Sequence, residues 1–153
     1  MNEKQDAGLL CSRIVAYVHR DTPLVEAARM MREHHVGSVV VVDEAPEGRL
    51  VCGILTDRDI VTAVVATEVD PATIVVEDIM SADVVTALER DSVTDLVRRM
   101  RQRGLRRLPV TTPQRVLVGV VTLDDLLGLL AGQLQALAQA VEAGPMRERQ
   151  LRR

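Results

Sequence analysis

The sequence reads as an α/β chain made of two copies of one β-α-β-β-α unit, and three observations carry that reading. The stretch Gly53–Asp59 (Gly-Ile-Leu-Thr-Asp-Arg-Asp) recurs as Gly119–Asp125 (Gly-Val-Val-Thr-Leu-Asp-Asp). The faces Leu24, Ala27, Ala28, Met31 and Val93, Leu96, Val97, Met100 share one spacing, that of a helix with a single apolar side. The punctuation recurs as well: Asp91 follows Thr22 by 69 positions, and Gly119 follows Gly53 by 66. Ordered self-similarity of this kind marks duplicated structural units.

Residues 1–8 are polar and are expected to be loose. Ile14–Val18 is short and apolar and predicts a strand. Thr22 then offers a helix cap and Pro23 a first helical position. Val36–Val42 is rich in β-branched residues and predicts a buried strand. Glu44–Gly48 reads as a turn, Leu50–Leu55 as the next strand, and Asp57–Ala66 as the helix that closes the first unit. A linker follows from Asp70 to Met80, with a helical turn at Val76–Met80. In the second unit Leu105–Thr111 matches Val36–Val42 at the 69-residue offset, and a shorter turn around Pro113 reduces the offset to 66. The last helix continues through Leu126, Leu127, Leu130, Leu134, Leu137 and Val141 and is expected to stop before Gly144-Pro145. Beyond it, Met146–Arg153 carries four arginines against one Glu. The expected division is therefore 10–69, a linker at 70–80, a second unit at 81–131, and a helical extension with a basic tail at 132–153.

Composition narrows the function. Hydrophobic residues are 47% and charged residues 27% of the 153, a globular balance. Tyr17 is the only aromatic residue, so base-stacking nucleic-acid platforms are not expected, and a net charge of −3 gives no attraction to a polyanion. Cys11 and Cys52 form no Cys-x-x-Cys pair and read as reduced cytosolic thiols. With no signal-peptide pattern at the start and no apolar run of spanning length, a cytoplasmic protein without direct membrane insertion is expected. His34-His35 is a poor metal pair, since adjacent helical residues point about 100° apart and no third ligand is near in sequence. No nucleophile–base constellation suggests an enzyme.

Each Thr-x-x-Asp places a hydroxyl and a carboxylate where a strand opens a helix. Free backbone N–H groups there favour an anion, and a carboxylate can accept from diol hydroxyls. The same spacing is that of a capping box, with a Thr cap and an acid three positions on.

Together with Ile79-Met80-Ser81, Val36-Gly37-Ser38-Val39-Val40-Val41 and Leu105-Arg106-Arg107-Leu108-Pro109-Val110, these stretches resemble the CBS-domain family, named for cystathionine β-synthase. Its domains occur in pairs called Bateman modules, here a stand-alone one. The resemblance runs from Leu10 to about Leu130. It implies two units packed sheet to sheet about a pseudo-two-fold axis, leaving two clefts that in many relatives hold adenosine-containing ligands. By resemblance, Asp59 and Asp125 match the ribose carboxylate, and Thr56 and Thr122 the hydroxyl near the phosphates. Ile54 and Val120 match residues that pack on the base. Ala16 with Val36 and Val85 with Leu105 complete the two adenine slots, with Met80 at the entry to the second copy. His34, His35 and Arg103 occupy positions at which relatives place basic residues that reach phosphate.

The copies differ. Pro109 fills a frequent family proline, where the first copy has Val40. Arg58, suited to phosphate, faces Asp124 at the matching place. The two clefts are therefore expected to be inequivalent. Of Arg106-Arg107, strand alternation lets only one point into a given cleft. The function implied is a sensor that binds AMP, ADP, ATP or a related adenosyl ligand, needs no other cofactor, and changes shape. A homodimer and an effector protein are its expected partners. The alternative is a structural module with empty clefts that serves oligomerisation or docking.

Overall fold

Strand pairing builds two three-stranded sheets in the same way. The computed structural model describes residues 5–151, with the backbone alone at 145, 146 and 148–150. In the first half, β1 (Tyr17–His19) lies parallel to β2 (Ser38–Ala45), which pairs antiparallel with β3 (Gly48–Thr56). In the second, β4 (Ala87–Leu88) lies parallel to β5 (Arg107–Thr111), which pairs antiparallel with β6 (Leu117–Thr122). Each parallel pair needs a crossover helix. These are α2 (Leu24–Glu33) and α5 (Val93–Arg103). Leu24, Ala27 and Met31 are buried on one, Leu96 and Met100 on the other. The opposite faces of the sheets meet through Val40, Val42 and Val51, packed with Val84, Leu117 and Val120.

The first unit ends with α3 (Asp57–Ile60), prolonged by a π-helical turn at Val61–Val65. A 3-10 turn (Pro71–Thr73) leads to α4 (Val76–Ile79). The second unit ends with α6 (Leu123–Leu151).

The N-terminal segment corrects the expectation of a loose start. The short helix α1 (Ala7–Leu10) is anchored on the second half, with Ala7 fully buried. Ala7 N donates to Asp91 O at 2.9 Å and Gly8 N to Glu89 O at 2.8 Å. Exactly 69 residues later the same contacts are made on the first half: Val76 N donates to Thr22 O and Glu77 N to Arg20 O, both at 2.9 Å. Thus α4 is the counterpart of α1, and each half is completed by a segment that precedes the other half's sheet. The segment after each helix then adds a bridge to a glycine-bearing strand. Ser12 and Val120 exchange two backbone hydrogen bonds of 2.9 Å, as do Ser81 and Ile54.

Other expectations need correction. Thr22 does not cap α2, whose N-cap is Pro23 and carries no side-chain cap. Its Oγ1 instead accepts from His19 N at 3.0 Å, and Asp91 Oδ2 accepts from Leu88 N at 2.8 Å at the matching place. Both residues close the turn after a parallel strand, and Ser92 caps α5. The first strand begins at Tyr17 rather than Ile14, because Ser12–Val15 have been drawn into the bridge and the cleft beside it. α6 does not stop at Gly144-Pro145. A proline removes one helical hydrogen bond, and the residues that follow Gly144-Pro145, from Met146 to Leu151, are all good helix formers. Of the basic tail, Arg152 and Arg153 lie outside the described residues, as do residues 1–4.

An ion-pair network ties α4 to the first sheet. Arg20 donates Nε to Asp43 Oδ1 at 2.9 Å and Nη1 to Glu77 Oε1 at 3.5 Å. The Arg20 hydrogen bond holds the Asp43 carboxyl below its ordinary value. A depressed folded pKa adds stability above the unfolded value, about pH 4, and loses it as pH falls through the folded value. Arg20→Met should therefore flatten the acid limb of the urea midpoint between about pH 5 and 2, and an unchanged limb would show the pair to be idle.

The bridges also explain the glycines. A Cβ at Gly119 would stand 2.5 Å from Ser12 O and 2.7 Å from Cys11 Sγ, whereas one at Gly53 would meet the flexible Met80 Sδ at 2.6 Å. Overpacking of this kind costs about 1–3 kcal/mol. Gly119→Ala should sit at the upper end, because backbone must move, and Gly53→Ala lower, because a thioether can swing away. Equal urea denaturation shifts for the two would contradict this.

Candidate functional site

One cleft between the halves gathers most of the chemistry. From the first half come Ala16, Val36, Ser38, Val40 and Ile54; from the second, Arg107, Pro109, Val120 and Thr122. Ser12, Ile14 and Val15 close it on the connecting segment. Strand register produces this set. Ser38 stands opposite Thr56, and Val40 opposite Ile54; Arg107 stands opposite Thr122, and Pro109 opposite Val120. Directly opposed residues share a sheet face, so Arg107 and Thr122 reach the cleft together. Arg106, one position earlier on the strand side, is exposed and does not line it.

Five of the residues singled out in the sequence meet here: Ala16, Val36, Ile54, Val120 and Thr122. The cleft therefore joins the aliphatic residues Ala16, Val36 and Ile54 of the first copy to the threonine of the second. Thr56 and Asp59 lie outside this cleft's lining, as does Asp125. Val85 and Leu105 pack against the second half's core, and Met80 against the first half's. Arg58, His34 and His35 are exposed outside the cleft, with His35 at φ 53° just past α2. Arg103 is exposed and pairs with Asp83 at 3.6 Å.

Both Thr-x-x-Asp stretches form complete capping boxes. Asp59 N donates to Thr56 Oγ1 at 3.1 Å, and Asp59 Oδ2 accepts from Thr56 N at 2.9 Å. Asp125 N donates to Thr122 Oγ1 at 3.1 Å, and Asp125 Oδ2 accepts from Thr122 N at 2.8 Å. Each box uses one carboxylate oxygen and the acceptor side of one hydroxyl. The other oxygen, Oδ1, and the hydroxyl proton have no partner among the described residues. The cap and a ligand can thus use the same pair of side chains at once.

Arg107 is half-buried in the cleft wall and makes no ion pair among the described residues. Its position was weighed in the sequence only through strand alternation. Ser38 and Pro109 follow from the same register once the strands are aligned. Ile14 has no motif to announce it; its side chain is 95% exposed beside the cleft, an unusual setting for an isoleucine. Burial pushes the Cys11 and Cys52 thiols up, which makes them poorer nucleophiles. Among the described residues no three His, Cys, Asp or Glu side chains gather as a metal set.

This is a duplicated sheet-to-sheet pair with a cleft between the halves. The CBS-domain family model matches residues 7–66 and 76–132, and the chain belongs to that family. The first match begins at Ala7 and the second at Val76, the starts of α1 and α4. An uncharacterised protein of Methanopyrus kandleri is 43% identical over 103 residues, 67% of this chain, and the chain spans only 51% of that protein's length. Hypoxic response protein 1 of Mycobacterium tuberculosis is 32% identical over 121 residues, 79% of this chain and 78% of its own. A crystal structure of hypoxic response protein I with two coordinated zinc ions superposes with a TM-score of 0.70 at 30% identity, covering 80% of this chain and 96% of that one. The CBS domain pair of protein MJ0100, in complex with 5′-methylthioadenosine and S-adenosyl-L-methionine, has a TM-score of 0.72 at 27% identity, covering 84% and 98%.

The capping boxes predict a stability effect that is independent of any ligand. Asp59→Ala and Asp125→Ala should each cost on the order of 1 kcal/mol in urea denaturation without ligand, and a loss beyond about 3 kcal/mol would mean that the carboxylate holds more than its cap.

Proposed function

We propose that the chain is a regulatory module that binds an adenosyl ligand between its halves and signals by changing shape. It acts without catalysing a reaction, works in the cytoplasm as a homodimer, and is read by an effector protein. The observation that carries this reading is the cleft itself. It has flat aliphatic walls (Ala16, Val36, Ile54) facing a cation and a hydroxyl (Arg107, Thr122). The adenosyl ligands of the MJ0100 pair, a close match in fold, support the ligand class.

In this reading the base lies between the aliphatic side chains, a mode suited to a chain whose one aromatic is Tyr17. Thr122 donates its free hydroxyl proton, and Asp125 offers its spare oxygen to ribose hydroxyls. Arg107 attracts whatever negative charge the ligand carries. The first-half counterpart of Arg107 is Ser38, which lines the same cleft, whereas Thr56 and Asp59, the counterparts of Thr122 and Asp125, lie outside that lining and belong to the second, matching cleft of this reading. Arg58 there and Asp124 here are both exposed, so each tunes charge from the rim. A phosphorylated ligand is therefore favoured beside Arg107 and a less charged one opposite.

Calorimetry with AMP, ATP, 5′-methylthioadenosine and S-adenosyl-L-methionine tests this. Charge-assisted hydrogen bonds are worth roughly 1.5–3 kcal/mol, and 1.4 kcal/mol is a factor of ten. Asp125→Ala should weaken binding at least about tenfold, with Asp59→Ala acting on the matching cleft. Arg107→Ala should penalise ATP more than methylthioadenosine. No heat with any of the four would favour the scaffold reading, and binding that ignores both aspartates would remove them from the site.

A further inference from the structure

Beyond its first turns, the long terminal helix packs its side chains into no core among the described residues. Leu126 is buried against the second half, but from Gly132 onward every described side chain of α6 is exposed. Only Gln133 reaches back, donating to Gln5 Oε1 at 3.3 Å. On the outer side lie Leu127, Leu130, Leu134, Leu137 and Val141, between 45% and 76% exposed. Their steps are 3, 4, 3, 4, the spacing of a seam that packs knobs into the holes of another helix.

The residues beside this seam indicate what covers it. The flanking positions carry Ala131, Gln133, Ala138 and Ala140, which are small or neutral. No charged residue occurs from Leu126 to Val141. Two identical helices can therefore approach closely without like charges meeting at the positions that usually select partners. The ends differ in charge: Asp124 and Asp125 open α6, while the sequence beyond Val141 carries Arg147, Arg149, Arg152 and Arg153 against Glu142 and Glu148. A parallel pair would set like charges together at both ends, whereas an antiparallel pair sets acid beside base and opposes the helix dipoles.

We propose that α6 is a self-association helix whose exposed seam pairs antiparallel with the same seam of a second copy. With Asp124 beside Arg147 of the other copy, Leu134 lies beside its Leu137 and Leu130 beside its Val141. The small Gly144 is left opposite Leu127. Such a contact is two-fold and closed, so it makes a dimer and not a chain. The proposal rests on the homodimer reading above and specifies which surface makes the dimer.

Sedimentation of the full chain and of Leu134→Glu at about 50 μM tests it, because Leu134 is 67% exposed in the single chain and its replacement should leave the monomer folded, by circular dichroism. The expected result is a dimer for the unaltered chain and a monomer for the variant, a loss of at least a hundredfold in association. A variant that stays dimeric overturns the proposal while leaving the homodimer reading intact, and a monomeric unaltered chain overturns both. Orientation is read from spin labels at Arg147→Cys in a Cys11→Ala, Cys52→Ala background. Antiparallel pairing separates the labels by roughly 35 Å along the axis, from a rise of 1.5 Å per residue. Labels about 10 Å apart, the distance between parallel neighbours, would overturn the orientation.

Discussion

The whole arrangement depends on two close approaches of backbone to backbone, at Gly53 and Gly119. A segment from outside the local sheet crosses each strand near enough that a side chain at the glycine would occupy its atoms. Paired hydrogen bonds at Ile54–Ser81 and Val120–Ser12 then hold the crossing segment. Because the segment before one sheet completes the other half, neither half has all of its own core. Ala7 belongs to the second core and Val76 to the first. The cleft inherits this exchange, since Ser12, Ile14 and Val15 form its wall as they pass from one half to the other. Movement of one half against the other must pull on those crossings, which gives a ligand in the cleft a mechanical route to the rest of the molecule.

Much of this was legible in the sequence, and the exceptions have physical causes. Element order and the helix faces were carried by periodicity, which burial enforces strongly. The glycine motif was legible too, although its glycine was read as part of a strand and not as a point of approach. The role of the N-terminus was hidden because α1 is a four-residue helix with a single buried side chain, Ala7. Its match to α4 is a match of backbone contacts, and Ala-Gly-Leu-Leu against Val-Glu-Asp-Ile leaves little trace in residue types. Thr22 and Asp91 were placed correctly as equivalents but given a cap's role. A hydroxyl and a carboxylate can both accept from the backbone N–H three residues earlier, and only coordinates show which N–H is taken. The cleft's mixed composition was out of reach for a similar reason. Register says which residues share a face, but not which face of the other sheet lies opposite.

The capping boxes bear on how a binding motif can be hidden inside a structural one. A carboxylate has two oxygens and about four acceptor sites, and a hydroxyl both accepts and donates. The boxes at Thr56–Asp59 and Thr122–Asp125 use a fraction of that capacity. The cap fixes the rotamers of both side chains before a ligand arrives, so a ribose diol would meet an oxygen already aimed. Preorganisation of this kind lowers the entropy lost on binding. The capping role thus leaves room for the proposed binding role.

The two halves contribute unequally to the cleft. The duplication copied the framework closely, down to the turn-closing hydrogen bonds 69 residues apart. What it did not preserve is charge at matching positions: Ser38 against Arg107, both in the cleft, and Arg58 against Asp124, both exposed outside its lining. Arg107 is half-buried, so its field is screened less than that of the exposed Arg58. Charge selectivity should therefore be dominated by the cleft that Arg107 lines, with the rim residues as corrections. Pro109 and its first-half counterpart Val40 line the same cleft, so its two walls differ in stiffness as well as in charge. Under the proposed function, a cleft with the cation Arg107 on a single wall would distinguish members of one ligand class by their charge.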